Sequence, residues 1–381
     1  MANDQRRRAI RLGIIGTGTF TRGSHLPVLA SLSGIRVDAL CDSDPGALRQ
    51  AQALVSPRVR VCSDYRDLVG LPGIDALLVA TPTDRHVEMA TAALRAGKHV
   101  FCEKPLAPRP EALRGMLSVV RSSGCLLQVG YVYRYAPIFR RMWQRIMHGD
   151  IGRPLMMWAH EFRAAFYTPW RYDAKIAGST LVEKCCHHFD LFHWMLASPI
   201  IRVSGVGGQA LVRSGAEMET IIGTKLRIPE TDNLDHAWVL TEHANGARAS
   251  LGLSLFSPHG PYGENDSDLE SLDVGIIGEE GKLVAYARRH ELRFWPRTGG
   301  RGRLESLTPT AGAQGWHAGG REQWEEFVAC VRTGRQPTCD GVLGVQGLLP
   351  AFAGERAIRE GRIVAMEEIA RAAKVRWPEV L

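Results

Sequence analysis

Between residues 11 and 129 five short apolar runs alternate with segments carrying helix punctuation, and this alternation restricts the fold more than any other feature of the chain. "RLGIIG" (11–16), "RVDALC" (36–41), "DALLVA" (75–80), "KHVFC" (98–102) and "CLLQVG" (125–130) have the length and apolar continuity of strands buried on both faces. Asp44 followed by Pro45 reads as a helix cap with proline at the first helical position, and Thr83 and Gly97 bracket a second helix. Strands alternating with helices imply a parallel sheet with right-handed crossovers.

After about residue 130 the pattern changes. "LMMWAHEF" (155–162), "HAWVLT" (236–241), "ARASLGLSLF" (247–256), "LDVGII" (272–277) and "LVAYAR" (283–288) read as longer, partly alternating strands, with "GEEG" (278–281) as a hairpin loop between the last two. No helical pattern separates the later runs, which predicts an antiparallel sheet. Helices are expected over 185–196, 320–333 and 343–360, and 258–270 reads as a polar, Gly/Pro-rich loop. A length of 381 residues with 45% hydrophobic content suits two domains. We place the boundary at 130/131, with a nucleotide-binding domain over 1–130 and a substrate-binding and oligomerisation domain over 131–381.

The net charge of +7 and the pI of about 9.1 raise the question of nucleic acid. The basic residues are scattered, only "QRRR" (5–8) forms a run, and no reading motif accompanies it, so nucleic acid is not an expected partner. Arg11 and three glycines interrupt the apolar part of the first 20 residues, which reads as a strand rather than an export signal. No stretch approaches the roughly 18 apolar residues of a membrane helix. Cys41, Cys62, Cys102 and Cys125 sit in or beside apolar runs and read as small buried hydrophobes in a reducing cytoplasm.

"IIGTGTFTRGSH" opens the first strand-turn-helix unit. Gly16 and Gly18 match the first two positions of a dinucleotide fingerprint, residue 21 is Thr where a third glycine is usual, and Thr19 and Phe20 lie between. Asp42 ends the second strand, 24 residues past Gly18, where a carboxylate accepts bonds from ribose hydroxyls and repels a 2′-phosphate. No Arg or Lys occupies 43–48, so NAD is preferred over NADP. Thr81, Pro82 and His86 follow the run at 75–80, at the strand edge that faces the cofactor crevice of such a sheet, and Glu103 and Lys104 end the next run. Charges that terminate a buried strand at a crevice are poor packing choices and good functional ones. The expected class is α/β: an N-terminal Rossmann-type parallel sheet plus a C-terminal α+β domain with a large, open, mostly antiparallel sheet.

Residues 183–194, "EKCCHHFDLFHW", place two cysteines and two histidines side by side. Adjacent helical residues point about 100° apart, so Cys185, Cys186, His187 and His188 do not converge on one metal, and no CxxC redox pair is present. In a regular helix Glu183, His187 and Asp190 would share a face, a line of acid, imidazole and acid.

These pieces, "GIIGTG", "CDSDP", "DALLVATPTDRHVEMATAALRAGKHVFCEKPLA", "GYVYRYAP" and "EKCCHHFD", resemble the glucose-fructose oxidoreductase/inositol dehydrogenase/rhizopine catabolism (Gfo/Idh/MocA) family over nearly the whole chain. The resemblance implies that His187 is the base that takes a proton from the substrate hydroxyl. It implies that Lys104 bonds the substrate and the nicotinamide ribose. Glu183, at a position usually Asp, would bind substrate or assist the histidine, with Asp190 behind as an orienting group. "YTPWRYD" (167–173) offers an aromatic wall and donors in Tyr167, Trp170 and Arg171; Tyr131, Arg134 and His317 are further substrate-side candidates. The reading is an NAD-dependent dehydrogenase of a sugar, cyclitol or related polyol, assembled as a homodimer or homotetramer and using no metal. Two alternatives stay open: glycoside cleavage by transient oxidation and elimination, and a non-catalytic NAD-binding regulator.

Overall fold

The computed structural model describes residues 8–258, 272–298, 300, 302–307 and 319–378. The chain divides into two compact units. The first comprises Met1–Ala107, Ala112–Val132 and Gly319–Val345, and the second Pro108–Glu111, Tyr133–Ala318 and Gln346–Leu381. The loop expected over 258–270 lies, except for its first residue, outside the described residues.

The first unit carries β1 (Ile10–Ile15), β2 (Ile35–Cys41), β3 (Arg60–Cys62), β4 (Ala76–Val79), β5 (His99–Cys102) and β6 (Leu127–Val129). They form one parallel sheet in the order β3-β2-β1-β4-β5-β6. Five of these strands are the five apolar runs, and residues such as Leu12, Ile14, Leu77, Leu78 and Phe101 are fully buried. The sixth, β3, carries no such signal, because Arg60 and Val61 both face solvent. Asp44 caps the helix Pro45–Val55 as expected, accepting from the Gly46 N–H. Thr83 does not cap; it lies within a 3₁₀ turn, Thr83–Arg85, ahead of the helix His86–Arg95. The linear boundary at 130/131 also needs correction. The helix Gly320–Thr333 belongs to the first unit, because Trp324, Phe327 and Val328 pack into one core with Ile10, Leu12, Leu26 and Leu29.

The second unit carries β7 (Pro154–Phe162), β8 (Ile200–Gly208), β9 (Glu217–Glu219), β10 (Lys225–Arg227), β11 (His236–His243), β12 (Arg248–Ser254), β13 (Asp273–Gly278), β14 (Gly281–Tyr286), β15 (Glu291–Pro296), β16 (Arg303–Ser306) and β17 (Val364–Ala365). Nine of them form one sheet, β16-β15-β14-β13-β7-β12-β11-β8-β17, while β9 and β10 make a separate ribbon. Neighbours in the large sheet are antiparallel except β7 and β12, which run parallel. The helix Cys186–Leu196 packs on β7.

Among the described residues each unit contains one π-helical segment that leads into an α-helix: Thr21–His25 before Leu26–Ser31, and Leu181–Cys185 before Cys186–Leu196. Such segments insert a residue into a turn and are frequent at functional sites. No helix among the described residues is long and apolar enough to cross a membrane.

Candidate active site

In the first unit the glycine loop leaves β1 at Gly16, whose φ is +94°. A Cβ there would stand 2.5 Å from the Ala80 carbonyl oxygen, so only glycine fits. Gly18 differs: a Cβ on it would meet nothing within 4 Å. The fold leaves open space where the fingerprint lets a pyrophosphate approach the backbone. Thr21, in the third-glycine position, is buried and donates its hydroxyl to the Gly16 carbonyl at 2.7 Å, stitching the loop to the π segment. Asp42 is half-buried at the end of β2. Its Oδ2 accepts from the Thr17 N–H at 2.6 Å and hydroxyl at 3.0 Å, and its Oδ1 accepts from the Asp44 N–H at 2.9 Å. Its place beside the open loop suits a ribose acceptor, so these residues fit a bound NAD.

His86 sits between two backbone carbonyls, with Nδ1 2.8 Å from Pro105 O and Nε2 2.8 Å from Thr81 O. Burial lowers its pKa below the ordinary histidine value against the pull of those carbonyls. It therefore braces the 81–82 and 104–105 segments against each other, with both ring nitrogens facing backbone carbonyls. Glu103 is buried, with Oε1 3.0 Å from His25 Nε2. Lys104 is the one residue from Val100 to Pro108 that is not buried.

In the second unit Arg171 draws three other expected residues around itself. Its Nε lies 2.9 Å from Glu183 Oε1, and its guanidinium carbon stands 5.6 Å from the ring centres of both Tyr167 and Trp170. Glu183 is buried within the π segment. The extra residue of that turn means the α-helical spacing from Glu183 to His187 does not apply across it. His187 is buried and stacked on Tyr133, with centroids 4.5 Å apart and planes at 25°. Behind it Glu161, buried on β7, faces Lys184 at 3.1 Å, His188 at 3.2 Å and Arg163 at 3.6 Å. Burial pushes the Glu161 carboxyl up, but Lys184, His188 and Arg163 together pull it well below the ordinary carboxylate range. Burial, with Glu161 adding to it, pushes the Tyr133 phenol well above its ordinary value, and burial does the same for the Cys185 thiol.

Two expected substrate-side residues make contacts within the protein. Arg134 is buried and donates from Nε and Nη2 to the two oxygens of Asp190, at 2.7 and 2.8 Å. Asp190 is thus anchored by Arg134, where it was expected to orient His187. Tyr131 is fully buried in the first unit and donates its hydroxyl to Gly344 O at 3.0 Å. His317 lies outside the described residues. Among the described residues no group of three or more His, Cys, Asp or Glu is arranged to hold a metal. Glu161, Tyr133, Lys184 and His25 carry no mark in the sequence as partners, because each pairing spans distant segments.

Residues 10–131 match the oxidoreductase family with an NAD-binding Rossmann fold, and residues 139–284 match the GFO/IDH/MocA C-terminal domain. Inositol 2-dehydrogenase 1 of Saccharopolyspora erythraea is 33% identical over 322 residues, 79% of this chain and 89% of that protein. The scyllo-inositol 2-dehydrogenase (NAD(+)) of Bacillus subtilis is 24% identical over 359 residues, 94% of this chain and 96% of that protein. Among solved structures, an oxidoreductase domain protein from Kribbella flavida is similar with a TM-score of 0.82 at 22% identity, covering 94% of this chain and 99% of that one. Levoglucosan dehydrogenase in complex with NADH and levoglucosan is similar with a TM-score of 0.80 at 22% identity, covering 94% and 100%.

Proposed function

We propose, from the premise that this chain belongs to the Gfo/Idh/MocA family of NAD-binding oxidoreductases, that it is a dehydrogenase of a cyclitol or a related sugar or polyol. The observation that carries this reading is the grouping of Tyr167, Trp170 and Glu183 around Arg171, on the elements that lead into His187. An aromatic wall beside a fixed carboxylate and guanidinium suits a polyhydroxylated ring, which offers apolar C–H faces and hydroxyl edges. The names of the inositol dehydrogenases among the relatives support the cyclitol class.

NAD, held by the Gly16–Gly18 loop and Asp42, supplies the hydride acceptor. The protein's own residues do the rest. His187, braced by Tyr133, takes the proton of the reacting hydroxyl as general base. Lys104 stabilises the negative charge that develops on that oxygen. Glu183, held by Arg171, accepts from a neighbouring substrate hydroxyl and so orients the ring. We also assign homo-oligomer formation to the apolar outer face of the large sheet, where Val206, Trp238 and Leu240 are exposed.

The test is a 340 nm screen with NAD against inositols, hexoses and glycosides, followed by variants on whichever substrate responds. His187→Ala should leave NAD affinity near wild type and lower kcat by about 10²–10⁴, the usual range for loss of a general base. Lys104→Met should lower kcat and weaken substrate binding. If the two residues act on one oxygen, the double variant should lose less than the product of the two single losses; multiplicative losses would indicate independent roles. Wild-type turnover by His187→Ala would remove the assignment. Product formation without net NADH would favour oxidation–elimination over simple dehydrogenation.

A further inference from the structure

We propose that Trp324 is a positioning residue for the cofactor side of the reaction: its indole N–H fixes the tautomer of His25, and His25 holds the carboxylate of Glu103 next to Lys104. All three side chains are buried, with 0%, 2% and 7% of their surface exposed for Trp324, His25 and Glu103. The role assigned to Lys104 rests on the dehydrogenase reading, whereas the hydrogen-bonded chain does not.

The direction of the chain follows from donor inventory. The Trp324 indole N–H lies 3.0 Å from His25 Nδ1. Indole nitrogen donates and cannot accept, so Nδ1 must present a bare lone pair. The ring proton is then on Nε2, which lies 3.0 Å from Glu103 Oε1 and donates to it. The carboxylate is held on two further sides. Its Oε2 accepts from the Lys104 N–H at 3.3 Å, and both oxygens occupy the notch above Gly130, where a Cβ would come within 2.7 Å of Oε1 and 3.0 Å of Oε2. The rings leave His25 no room to turn. Phe20, Phe101 and Trp324 meet it edge-on at 5.3, 5.8 and 5.7 Å, and Trp324 itself stacks on Phe101 at 4.4 Å.

The chain joins three distant parts of the sequence. His25 closes the π segment that follows the glycine loop, Glu103 follows the strand His99–Cys102 directly, and Trp324 comes from the late helix Gly320–Thr333. Burying a carboxylate, an imidazole and an indole N–H where apolar side chains would fill the space is costly unless every group is bonded. The bonds here meet that condition, and they fix the one acid adjacent to the partly exposed lysine. Without the indole N–H, the ring is free to carry its proton on Nδ1. Its Nε2 lone pair then faces the carboxylate, and Glu103 turns away, taking the Lys104 backbone with it.

Long-range ¹H–¹⁵N spectra of the full-length protein labelled at histidine test this, with the His25 signal assigned by its loss in His25→Gln. Wild type should show a protonated Nε2 and a bare Nδ1. Trp324→Phe keeps the stacked ring, so the His25 signal should move to mixed tautomers, and NADH titrated by fluorescence should bind about five- to tenfold more weakly, the scale of one lost hydrogen bond. Phe101→Leu disturbs the same stack without touching the bonds; it should lower the Tm and leave the tautomer unchanged. His25→Leu should bind NADH as weakly as Trp324→Phe, and His25→Gln, whose amide can donate to Glu103, should recover most of that loss. A protonated Nδ1 in wild type, or wild-type NADH affinity in Trp324→Phe, overturns the proposal. If these results hold while the protein turns over no cyclitol, sugar or glycoside, the positioning role stands and the substrate reading fails.

Discussion

The two faces of β7 are filled in opposite ways to the usual rule. On the inner face Met157 and Ala159 are buried as expected, but Glu161 follows them and is equally buried, ringed by Lys184, His188 and Arg163. On the outer face stand Met156, Trp158, His160 and Phe162. There His160 and Phe162 stack at 5.0 Å, and Trp238 of β11 meets both edge-on at 5.8 and 5.9 Å. A sheet selected only for its own stability would turn the rings in and the charges out. The inner charges instead grip the segment that carries His187, since Lys184 precedes it by three residues and His188 follows it directly. The outer rings form an apolar surface on which Met156 and Trp238 are exposed. On the proposed reading, the inner face serves the site and the outer face serves assembly.

The largest effect should come from the inner face. Glu161→Gln removes the charge that Lys184, His188 and Arg163 share, and breaking a buried ion pair costs about 3–5 kcal/mol in comparable cases. Denaturant unfolding reads the loss, and hydrogen exchange should place it in 181–196. The pH dependence has a definite sign. A carboxyl held below its ordinary value contributes stability that is fully present above the unfolded pKa of about 4.3 and is lost as pH falls toward the folded value. Wild type should therefore lose stability steadily below about pH 4, with a steeper slope than Glu161→Gln. Equal slopes, or a loss under about 1 kcal/mol, would mean that the inner charges do not hold this segment.

This inversion also marks how far the sequence could be read. β7 was legible as a strand from its alternation, but alternation does not say which face is inside. "HEF" at its end gives the wrong answer if charge is assumed to point outward. Five of the six strands of the first sheet announced themselves as apolar runs, whereas β3, three residues long and mostly exposed, had no run to show. In the second sheet β8, β15, β16 and β17 and the parallel pairing of β7 with β12 went unread, because strand order depends on contacts between distant segments. Arg134 and Asp190 illustrate the same limit within the candidate site. Each looked available from its own neighbourhood, and they close on each other across 56 residues. The two π segments were invisible for a different reason: an inserted residue leaves the apolar pattern of a short helix almost unchanged.

The outer face should respond differently. Trp238→Arg combined with Leu240→Glu places charge on two side chains that are 49% and 56% exposed. Monomer stability should change by no more than about 1 kcal/mol, as for surface substitutions generally. The dimer or tetramer expected for wild type at micromolar concentration should dissociate, as read by light scattering. A wild-type protein that is already monomeric, or a double variant that unfolds rather than dissociates, would break the division between the faces.

The smallest effect sharpens the same comparison, because it asks whether the outer indoles belong to the monomer at all. A Cβ at Gly275 on β13 would fall 2.0 Å from Cζ2 of Trp158, so the indole now lies flat over the glycine. Gly252 repeats the arrangement, with a Cβ only 2.8 Å from the ring of Trp238. Gly275→Ala must therefore lift the Trp158 ring off the sheet. The backbone at Gly275 does not have a positive φ, so alanine brings no conformational strain, and replacing glycine within a strand returns roughly 0.5–1 kcal/mol. Trp158 is half-buried and can swing toward solvent. Measured in the monomeric Trp238→Arg/Leu240→Glu background, Gly275→Ala should thus change unfolding stability by less than about 1 kcal/mol. In the otherwise wild-type chain the raised ring should roughen the flat surface and weaken self-association about tenfold, the equivalent of about 1.4 kcal/mol. A loss above about 2 kcal/mol in the monomeric background would show that the indole contributes to the monomer's own packing, and β7 would then have two faces serving the fold.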